Sequence, residues 1–235
     1  MKVNLTNLKQ AMAGQLNRND VVANNLANIN TTGFKKDIMF FDFMDEEDSG
    51  KQNGRQSIDF AQGTLKQTNN DLDFALSGRG FFVIETEEGK GYTREGHFKI
   101  DKDGVLIDSS NRPVMGESGP ITIIGENFKP KTISVTQNGE VFADDQPAGR
   151  LRIVDFENMD DLKKAGGNLF TADETLELDI DEPVIHQGFL EESNVNPADE
   201  MIQLIEVQRQ FEGMQKMVRS LDEVFRMAAS RVGKY

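Results

Sequence analysis

Two helical patterns of apolar residues, one at each end of the chain, constrain its fold more than any other feature. The first pattern alternates steps of three and four residues through Leu5, Leu8, Met12, Gln15, Asn19, Val22, Leu26 and Ile29. Six of these eight positions are apolar, which is typical of a narrow seam between paired helices. Because Gly14 and several Asn residues lower helix propensity, we expect a helix over residues 3–29 that needs a partner.

The second pattern predicts a longer helix over residues 196–232. Asn196 is a favourable N-cap residue and Pro197 fits the first helical position. Its apolar positions are Met201, Leu204, Phe211, Met214, Val218, Leu221, Phe225, Ala228 and Val232. At about 1.5 Å per residue this helix would be roughly 50 Å long, more than a compact domain of this size needs at its end.

Between these ends the pattern changes to short strands and turns. The run Phe81–Ile84 indicates a buried strand, and the turns Asp101–Gly104 and Asn138–Gly139 indicate two hairpins. Further strands are predicted at 121–124, 151–156 and 176–180. The predicted fold class is α+β, with long N- and C-terminal helices forming a coiled-coil-like inner layer and a central, mainly antiparallel β domain.

Four segments follow from this reading. We expect an N-terminal assembly helix at 1–33, an extended connector at 34–75, a central β-rich outer domain at 76–185, and a C-terminal segment with a long assembly helix at 186–235. The acidic, glycine-bearing stretch from Asp45 to Gly54 predicts that the connector is poorly ordered or extended.

Charge is distributed unevenly along the chain. The net charge is -14, which disfavours nucleic acid and anionic membranes as partners. Residues 1–30 carry a net charge of +2 and residues 196–235 a net charge of zero, which leaves -16 for the middle. Near-neutral ends can pack against copies of themselves, whereas an acidic middle stays in solvent. We therefore expect intermolecular packing through the apolar positions of the two ends.

The sequence shows no convincing catalytic, cofactor-binding or metal-binding residues. Gly78-Arg79-Gly80 lacks the remaining parts of a phosphate-binding motif, and Asp101–Gly104 has its glycine at the wrong position for a calcium loop. His97 and His186 have no fixed ligand spacing around them, and the chain has no Cys. We expect a protein that is not an enzyme and needs no cofactor.

Two other classes remain as alternatives at this stage. A ligand-binding β module with coiled-coil tails would need exposed aromatic residues, yet the chain has only 2 Tyr and no Trp. An enzyme would need a convergent pocket that the sequence does not show. The start of the chain also lacks the apolar stretch of a secretory signal, so any export is expected to occur without a cleaved signal peptide.

Four segments of the chain resemble the flagellar rod and hook family of bacteria. The longest is residues 23–35, which contains the motif positions Asn24, Asn25, Leu26, Ala27, Asn28, Asn30, Thr32, Gly33 and Phe34. The other three are residues 76–82, 92–98 and 187–196, in the order that the family shows. The resemblance spans nearly the whole chain.

The resemblance implies a structural subunit of the flagellar basal-body rod. Such a subunit would leave the cell through the flagellar type III export apparatus and polymerise in the periplasm with itself and other rod proteins. Its terminal helices would form the inner tube of a hollow drive shaft used in motility. The chain is too short for a hook protein, and residues 117–124, 149–154 and 232–234 resemble the proximal rod type more than the distal type.

Overall fold

A computed structural model describes residues 5–41, 54–123 and 132–232. The chain divides into two compact units. The first, here called the helical unit, comprises residues 1–27, 37–57 and 196–235, and the second, the β unit, comprises residues 28–36 and 58–195. The predicted mixed α+β class is confirmed, with a β-rich part and two long helices. The four segment boundaries predicted from the sequence stay predictions.

The helical unit contains two helices and a two-stranded sheet. Helix α1 spans Leu5–Ala27 and helix α2 spans Pro197–Val232, while strands β1 (Asp37–Phe41) and β2 (Gly54–Ile58) form the sheet. The side-chain oxygen of Asn196 accepts a hydrogen bond from the main-chain N–H of Ala198 at 3.0 Å, as an N-cap residue does. With 36 residues, α2 is about 54 Å long.

The two helices pack against each other in antiparallel directions. Gln15 on α1 donates a side-chain hydrogen bond to Gln210 on α2 at 2.7 Å. Ten residues further along α1, Asn25 donates to Glu200, which lies ten residues earlier on α2. Since the contact moves forward on one helix and backward on the other, the helices run in opposite directions.

Helix α1 ends two residues before the predicted end of its seam. The chain leaves the helix after Ala27 and turns at Asn28, whose main-chain oxygen accepts from the N–H of Thr31 at 3.2 Å. The Thr31 hydroxyl also donates to the Asn28 side-chain oxygen at 3.1 Å. These local side-chain bonds compete with the helical pattern, which is why the helix stops before Ile29.

The β unit consists of short strands that form several sheets. In chain order they are β3 (Leu65–Gln67), β4 (Phe74–Ser77), β5 (Phe81–Thr86), β6 (Gly89–Thr93), β7 (Lys99–Ile100), β8 (Leu106–Ile107), β9 (Met115–Gly116), β10 (Gly119–Pro120), β11 (Ile133–Val135), β12 (Glu140–Ala143), β13 (Gln146–Arg150), β14 (Ile153–Phe156), β15 (Lys163–Gly166), β16 (Leu169–Thr171), β17 (Glu177–Asp179), β18 (Val184–Gln187) and β19 (Phe189–Glu191). The largest sheet has the order β15-β16-β6-β5-β14-β17 and is antiparallel.

Strand β5 separates the two hydrophobic clusters of the β unit. Phe82 and Ile84 belong to one cluster, whereas Phe81 and Val83 belong to the other, and all four are almost completely buried. Successive side chains of a strand point to opposite faces of its sheet. A continuous apolar run is therefore what a strand buried on both faces requires, and the prediction of a buried strand here is confirmed.

Both hairpins predicted from turn residues are present. Strands β7 and β8 flank Gly104, which has a φ of +80°, and the Asp101 carboxylate accepts from the N–H groups of Asp103 and Val105. Strands β11 and β12 flank Gly139, which has a φ of +87°. A positive φ is costly for residues other than glycine, so each glycine fits its turn.

Two other predicted segments differ from the structure in detail. The predicted strand at 121–124 is reduced to one bridge between Thr122 and Val105, and Ile124 lies outside the described residues. The predicted connector contains β1, β2 and β3 among its described residues, while 42–53 lies outside them. Phe60 from this segment packs against Phe81 with ring centroids 5.7 Å apart.

Candidate assembly site

One face of α2 carries most of the predicted assembly residues and faces α1. Glu200 and Gln210, which contact α1, lie on this face. The predicted residues on it are half-buried: Leu204, Phe211, Met214, Val218 and Leu221. Val207, which the sequence analysis missed, lies on the same face and is 2% exposed. The predicted residue Met201 is mostly exposed, and the side chain of Phe225 lies outside the described residues.

A second set of apolar residues on α2, here called the exposed stripe, lies outside the buried face. Its members are Ile202, Ile205, Met217 and Val224, and each is more than half exposed. At about 100° per residue, Ile202 and Ile205 lie opposite the buried residues, whereas Met217 and Val224 lie at the edge of the face, on the same side as Gln210. The single seam predicted from the sequence does not include this exposed stripe, although the apolar positions outside that seam could have indicated it.

The predicted residues of the N-terminal end have different surroundings. In α1, Val22 is 2% exposed, and Met12 and Leu26 are half-buried. Leu5 and Leu8 lie in the helix, but their side chains are outside the described residues. Ile29 follows the helix and belongs to the β unit, where it is half-buried. The structure thus places Ile29 outside the helix whose seam it was predicted to extend.

Asn25 of the family motif connects three elements of the helical unit. Its side-chain amide donates to the main-chain oxygen of Asp37 at 2.9 Å and to the Glu200 carboxylate at 3.2 Å. The N–H of Asp37 donates back to the Asn25 side-chain oxygen at 2.9 Å. All three residues are buried, so this arrangement fixes α1, β1 and α2 to one another.

The remaining motif residues lie in different surroundings. Asn24, Ala27 and Asn30 are exposed, and Asn28 holds the turn after α1. Within the β unit, the main-chain oxygen of Thr32 accepts from Asn168 at 2.9 Å. The Phe34 ring lies under the Lys164 ammonium at 4.4 Å, a cation–π contact.

Gly33 is the motif position that tolerates no side chain. Its φ is +69°, and an added Cβ atom would lie 2.4 Å from the main-chain nitrogen of Glu95. Its N–H donates to the main-chain oxygen of Glu191 at 2.8 Å. The motif therefore needs glycine because two other family-like segments approach the backbone at this point.

A buried ionic cluster joins the family-like segments inside the β unit. The Lys35 ammonium lies 2.5 Å from one oxygen of Glu191, and the Arg94 guanidinium lies 3.2 Å from the other. All three side chains are at most 4% exposed. These residues lie in three of the family-like segments, but the sequence alone does not indicate their ionic contact.

Burial dominates the electrostatics of this cluster. It lowers the pKa of Lys35, although the Glu191 carboxylate opposes this shift, and the nearby Arg94 charge lowers the pKa further. Burial likewise lowers the pKa of Arg94 against the opposing effect of Glu191. Removing the carboxylate would therefore leave two poorly solvated cations close together.

The two histidines and the acidic residues of the described part of the chain do not group as metal ligands would. Within residues 5–41, 54–123 and 132–232, no group of three or more His, Asp or Glu side chains could hold a metal ion. His97 pairs with Asp73 at 2.7 Å, and His186 packs against the Phe189 ring. None of the helices in this part of the chain is long and apolar enough to cross a membrane.

Three family models match the chain at its start, middle and end. They are "Flagella basal body rod protein" at residues 5–35, "Flagellar hook protein FlgE/F/G D1 domain" at 75–143, and "Flagellar basal body rod FlgEFG protein C-terminal" at 186–231. A flagellar basal-body rod protein FlgF from Caulobacter vibrioides is 33% identical over 92% of this chain and 91% of its own length. The chain belongs to the flagellar basal-body rod protein family.

Other relatives within this family carry two names. A FlgF protein from Mesorhizobium japonicum is 33% identical, with 91% of this chain and 92% of that protein covered. A FlgG protein from Bacillus subtilis is 31% identical, with 87% and 89% covered. The resemblance stated from the sequence is confirmed, and the family membership makes this chain a structural rod subunit of the flagellum.

Proposed function

We propose that this rod subunit polymerises through α1 and α2, which form a coiled-coil-like inner layer while the β-rich part lies outside. The observation that carries the proposal is the exposed stripe of α2. One face of this helix is already occupied by α1 of the same chain. The apolar residues of the exposed stripe need a second partner if they are to leave water.

The geometry of α2 favours an open assembly over a closed dimer. A helix that contacts α1 on one side and a neighbouring subunit on the other uses two different surfaces. Contacts between different surfaces of identical subunits generate helical arrays when the rotation does not close. Copies of this chain, together with other rod proteins, are the partners that this arrangement fits.

Charge supports the same arrangement. Residues 196–235 carry six basic and six acidic residues, so neighbouring copies of α2 do not repel one another strongly. The much more acidic middle of the chain would repel its copies at short range. An inner layer of helices with the acidic part outside keeps the repelling charges farther apart.

We further propose that the subunit occupies the proximal part of a periplasmic rod, with the distal part as the alternative. Two relatives named FlgF and one named FlgG match at similar identity. The segments at 117–124, 149–154 and 232–234 favour the proximal type. Export through the flagellar type III apparatus without a cleaved signal belongs to the same proposal. Labelling the subunit in isolated basal bodies and measuring its axial position tests the placement.

The assembly proposal is tested by placing charges on the exposed stripe. Ile205→Glu with Met217→Glu should exclude the full-length chain from basal bodies isolated from cells that lack their own copy, and those cells should not swim. Leu178→Glu is the matched control, because Leu178 is 52% exposed on β17 of the β unit and Ile205 is 51% exposed. Circular dichroism of the purified proteins checks that both variants are folded.

Two results decide the outcome. If the stripe variant is found in the periplasm but not in basal bodies, while the Leu178→Glu variant is incorporated, the exposed stripe is an assembly surface. If both variants are incorporated equally, the proposal that α2 contacts a neighbour through this stripe is wrong.

A further inference from the structure

Glu191 has an unusual number of contacts with distant parts of the β unit. One carboxylate oxygen accepts from the Lys35 ammonium at 2.5 Å and from the N–H of Gly63 at 2.9 Å. The other accepts from Arg94 at 3.2 Å, and the main-chain oxygen accepts from the N–H of Gly33 at 2.8 Å. These partners precede Glu191 by about 100 to 160 residues, so their contacts form only after long loops close.

The backbone around Glu191 completes the same region. Strand β19 pairs with β3 so that Glu191 lies opposite Leu65, and the next residue donates its N–H to Thr64 at 2.9 Å. An added Cβ atom at Gly63 would lie 2.0 Å from the main-chain oxygen of Glu192. Residues 63–65 therefore form these native contacts only when residues 189–192 have docked against them.

Glu191 is the carboxylate that forms direct ion pairs with both Lys35 and Arg94. Their other hydrogen bonds go to neutral main-chain oxygens, from Lys35 to Ala61 at 2.8 Å and from Arg94 to Gly78 at 2.6 Å. Without the carboxylate, closing the pocket would take two cations out of water with carbonyl oxygens as their hydrogen-bond acceptors. The charges of Asp59 and Asp155 and the Phe81 ring next to Arg94 would compensate them less than the direct ion pairs do. The cost of removing a charge from water is recovered only when a counter-ion and hydrogen bonds are in place.

We propose that Glu191 is a folding latch, because the β unit closes around Lys35 and Arg94 only after residues 189–191 have docked. When the chain emerges with its N-terminus first, the pocket around Lys35 and Arg94 stays open until Glu191 has emerged. Glu191 follows Lys35 by 156 residues. The latch concerns the β unit alone and does not depend on how the helices assemble.

Refolding kinetics of the full-length chain test the latch. The chain has no Trp and 2 Tyr, so in a Tyr235→Phe background the buried Tyr92 reports on the β unit alone. After dilution from urea, Glu191→Gln should slow the refolding rate at least tenfold and change the unfolding rate less. A contact that is required before closure affects the folding rate, whereas one formed afterwards affects mainly unfolding.

Glu192→Gln is the matched control, since it removes the same charge from the next residue. The Glu192 side chain is 43% exposed and pairs with Lys66, which is 66% exposed. This variant should refold at nearly the unmodified rate. The double variant Lys35→Gln with Glu191→Gln removes one uncompensated cation and should recover most of the refolding rate that Glu191→Gln loses.

The double variant also decides the case in which Glu191→Gln does not fold. Recovery of folding in Lys35→Gln with Glu191→Gln then supports the latch, and failure of both variants overturns it. The latch is likewise overturned if Glu191→Gln refolds as fast as Glu192→Gln, or if its only effect is faster unfolding.

Discussion

The side-chain amide of Asn25 lies 3.2 Å from the carboxylate of Glu200 and connects the two long helices of the helical unit. The same side chain forms two hydrogen bonds with the backbone of Asp37: it donates to the carbonyl oxygen and accepts from the N–H. Only a side chain with donor and acceptor on one planar group can satisfy both backbone groups at once. This geometry gives a physical reason for an asparagine at this position of the family motif.

Replacing Asn25 should weaken the helical unit. Asn25→Ala leaves the backbone groups of Asp37 and the Glu200 carboxylate without this partner in a buried place, which costs about 1–3 kcal/mol. We expect the helices of Asn25→Ala to unfold at a lower urea concentration than those of the unmodified chain. Circular dichroism at 222 nm measures this unfolding. Asn17→Ala, at an exposed position of α1, is the control and should change the midpoint little. Equal midpoints for the two variants would show that the Asn25 contacts contribute nothing measurable.

The antiparallel register of the helices predicts a specific cross-link. Contacts pair Gln15 with Gln210 and Asn25 with Glu200, so Met12 should lie beside Met214. The chain has no Cys, so Met12→Cys with Met214→Cys can form only the intended pair within one chain. Mild oxidation of the dilute protein should give a monomer that migrates faster on a non-reducing gel.

A second cysteine pair provides the control for this cross-link. Met12→Cys with Glu212→Cys places the second thiol two residues before Met214, at an exposed position on the opposite side of α2. It should remain reduced in the dilute protein. If the two pairs oxidise at the same rate, the helices do not hold the register that their polar contacts indicate.

The parts of the fold that were predictable depend on neighbouring residues. Asn196 and Pro197 indicate where α2 begins, and Gly104 and Gly139 indicate the turns of two hairpins, because each acts on a few adjacent positions. The run at 81–84 indicates a strand buried on both faces for the same reason. Such local signals need no knowledge of the tertiary structure.

The parts that were missed depend on residues far apart in the sequence. Lys35, Arg94 and Glu191 are ordinary charged residues in a chain rich in them, and only the fold shows that they meet in a buried cluster. The exposed stripe was missed for another reason. Helix α2 is apolar on two sides, and the periodicity of one seam does not reveal which side the same chain covers.

Glu95 predicts a specific dependence of stability on pH. Burial raises its pKa above 4.5, and the Asp108 charge adds to this, although a hydrogen bond from Ser109 opposes the shift. Because the folded state then binds the proton more tightly than the unfolded state, the stabilisation is complete below pH 4.5 and is lost as the pH rises through the folded pKa. Glu95→Gln resembles the protonated form and should stabilise the β unit at neutral pH.

The measurement is the free energy of unfolding of Glu95→Gln minus that of the unmodified chain, from urea titrations between pH 4 and pH 8. We expect this difference to grow with pH and then level off. Glu85→Gln, at an exposed position of β5, removes the same charge and should show a smaller change with pH. A difference for Glu95→Gln that stays constant over the whole range would contradict a raised pKa.

Two glycines should respond in opposite directions to the same substitution. At Gly33 the φ of +69° disfavours any side chain, and an added Cβ would meet the backbone of Glu95 and Arg94 at 2.4 and 2.6 Å. Gly33→Ala should therefore destabilise the β unit by at least about 2 kcal/mol, since the left-handed conformation alone costs about 1–2 kcal/mol. At Gly213, within α2, an added Cβ meets no atom within 4 Å.

Gly213→Ala should stabilise the helical unit by about 0.5–1 kcal/mol, because alanine loses less backbone entropy than glycine in a helix. Thermal unfolding followed by Tyr92 fluorescence in the Tyr235→Phe background reports on the β unit, and circular dichroism at 222 nm reports on the helices. Because the backbone of residues 94 and 95 lies so close to Gly33, Gly33→Ala should lower the transition temperature measured by Tyr92 fluorescence. If Gly33→Ala leaves that temperature unchanged, the backbone of residues 94 and 95 does not approach Gly33 as closely as the structure shows.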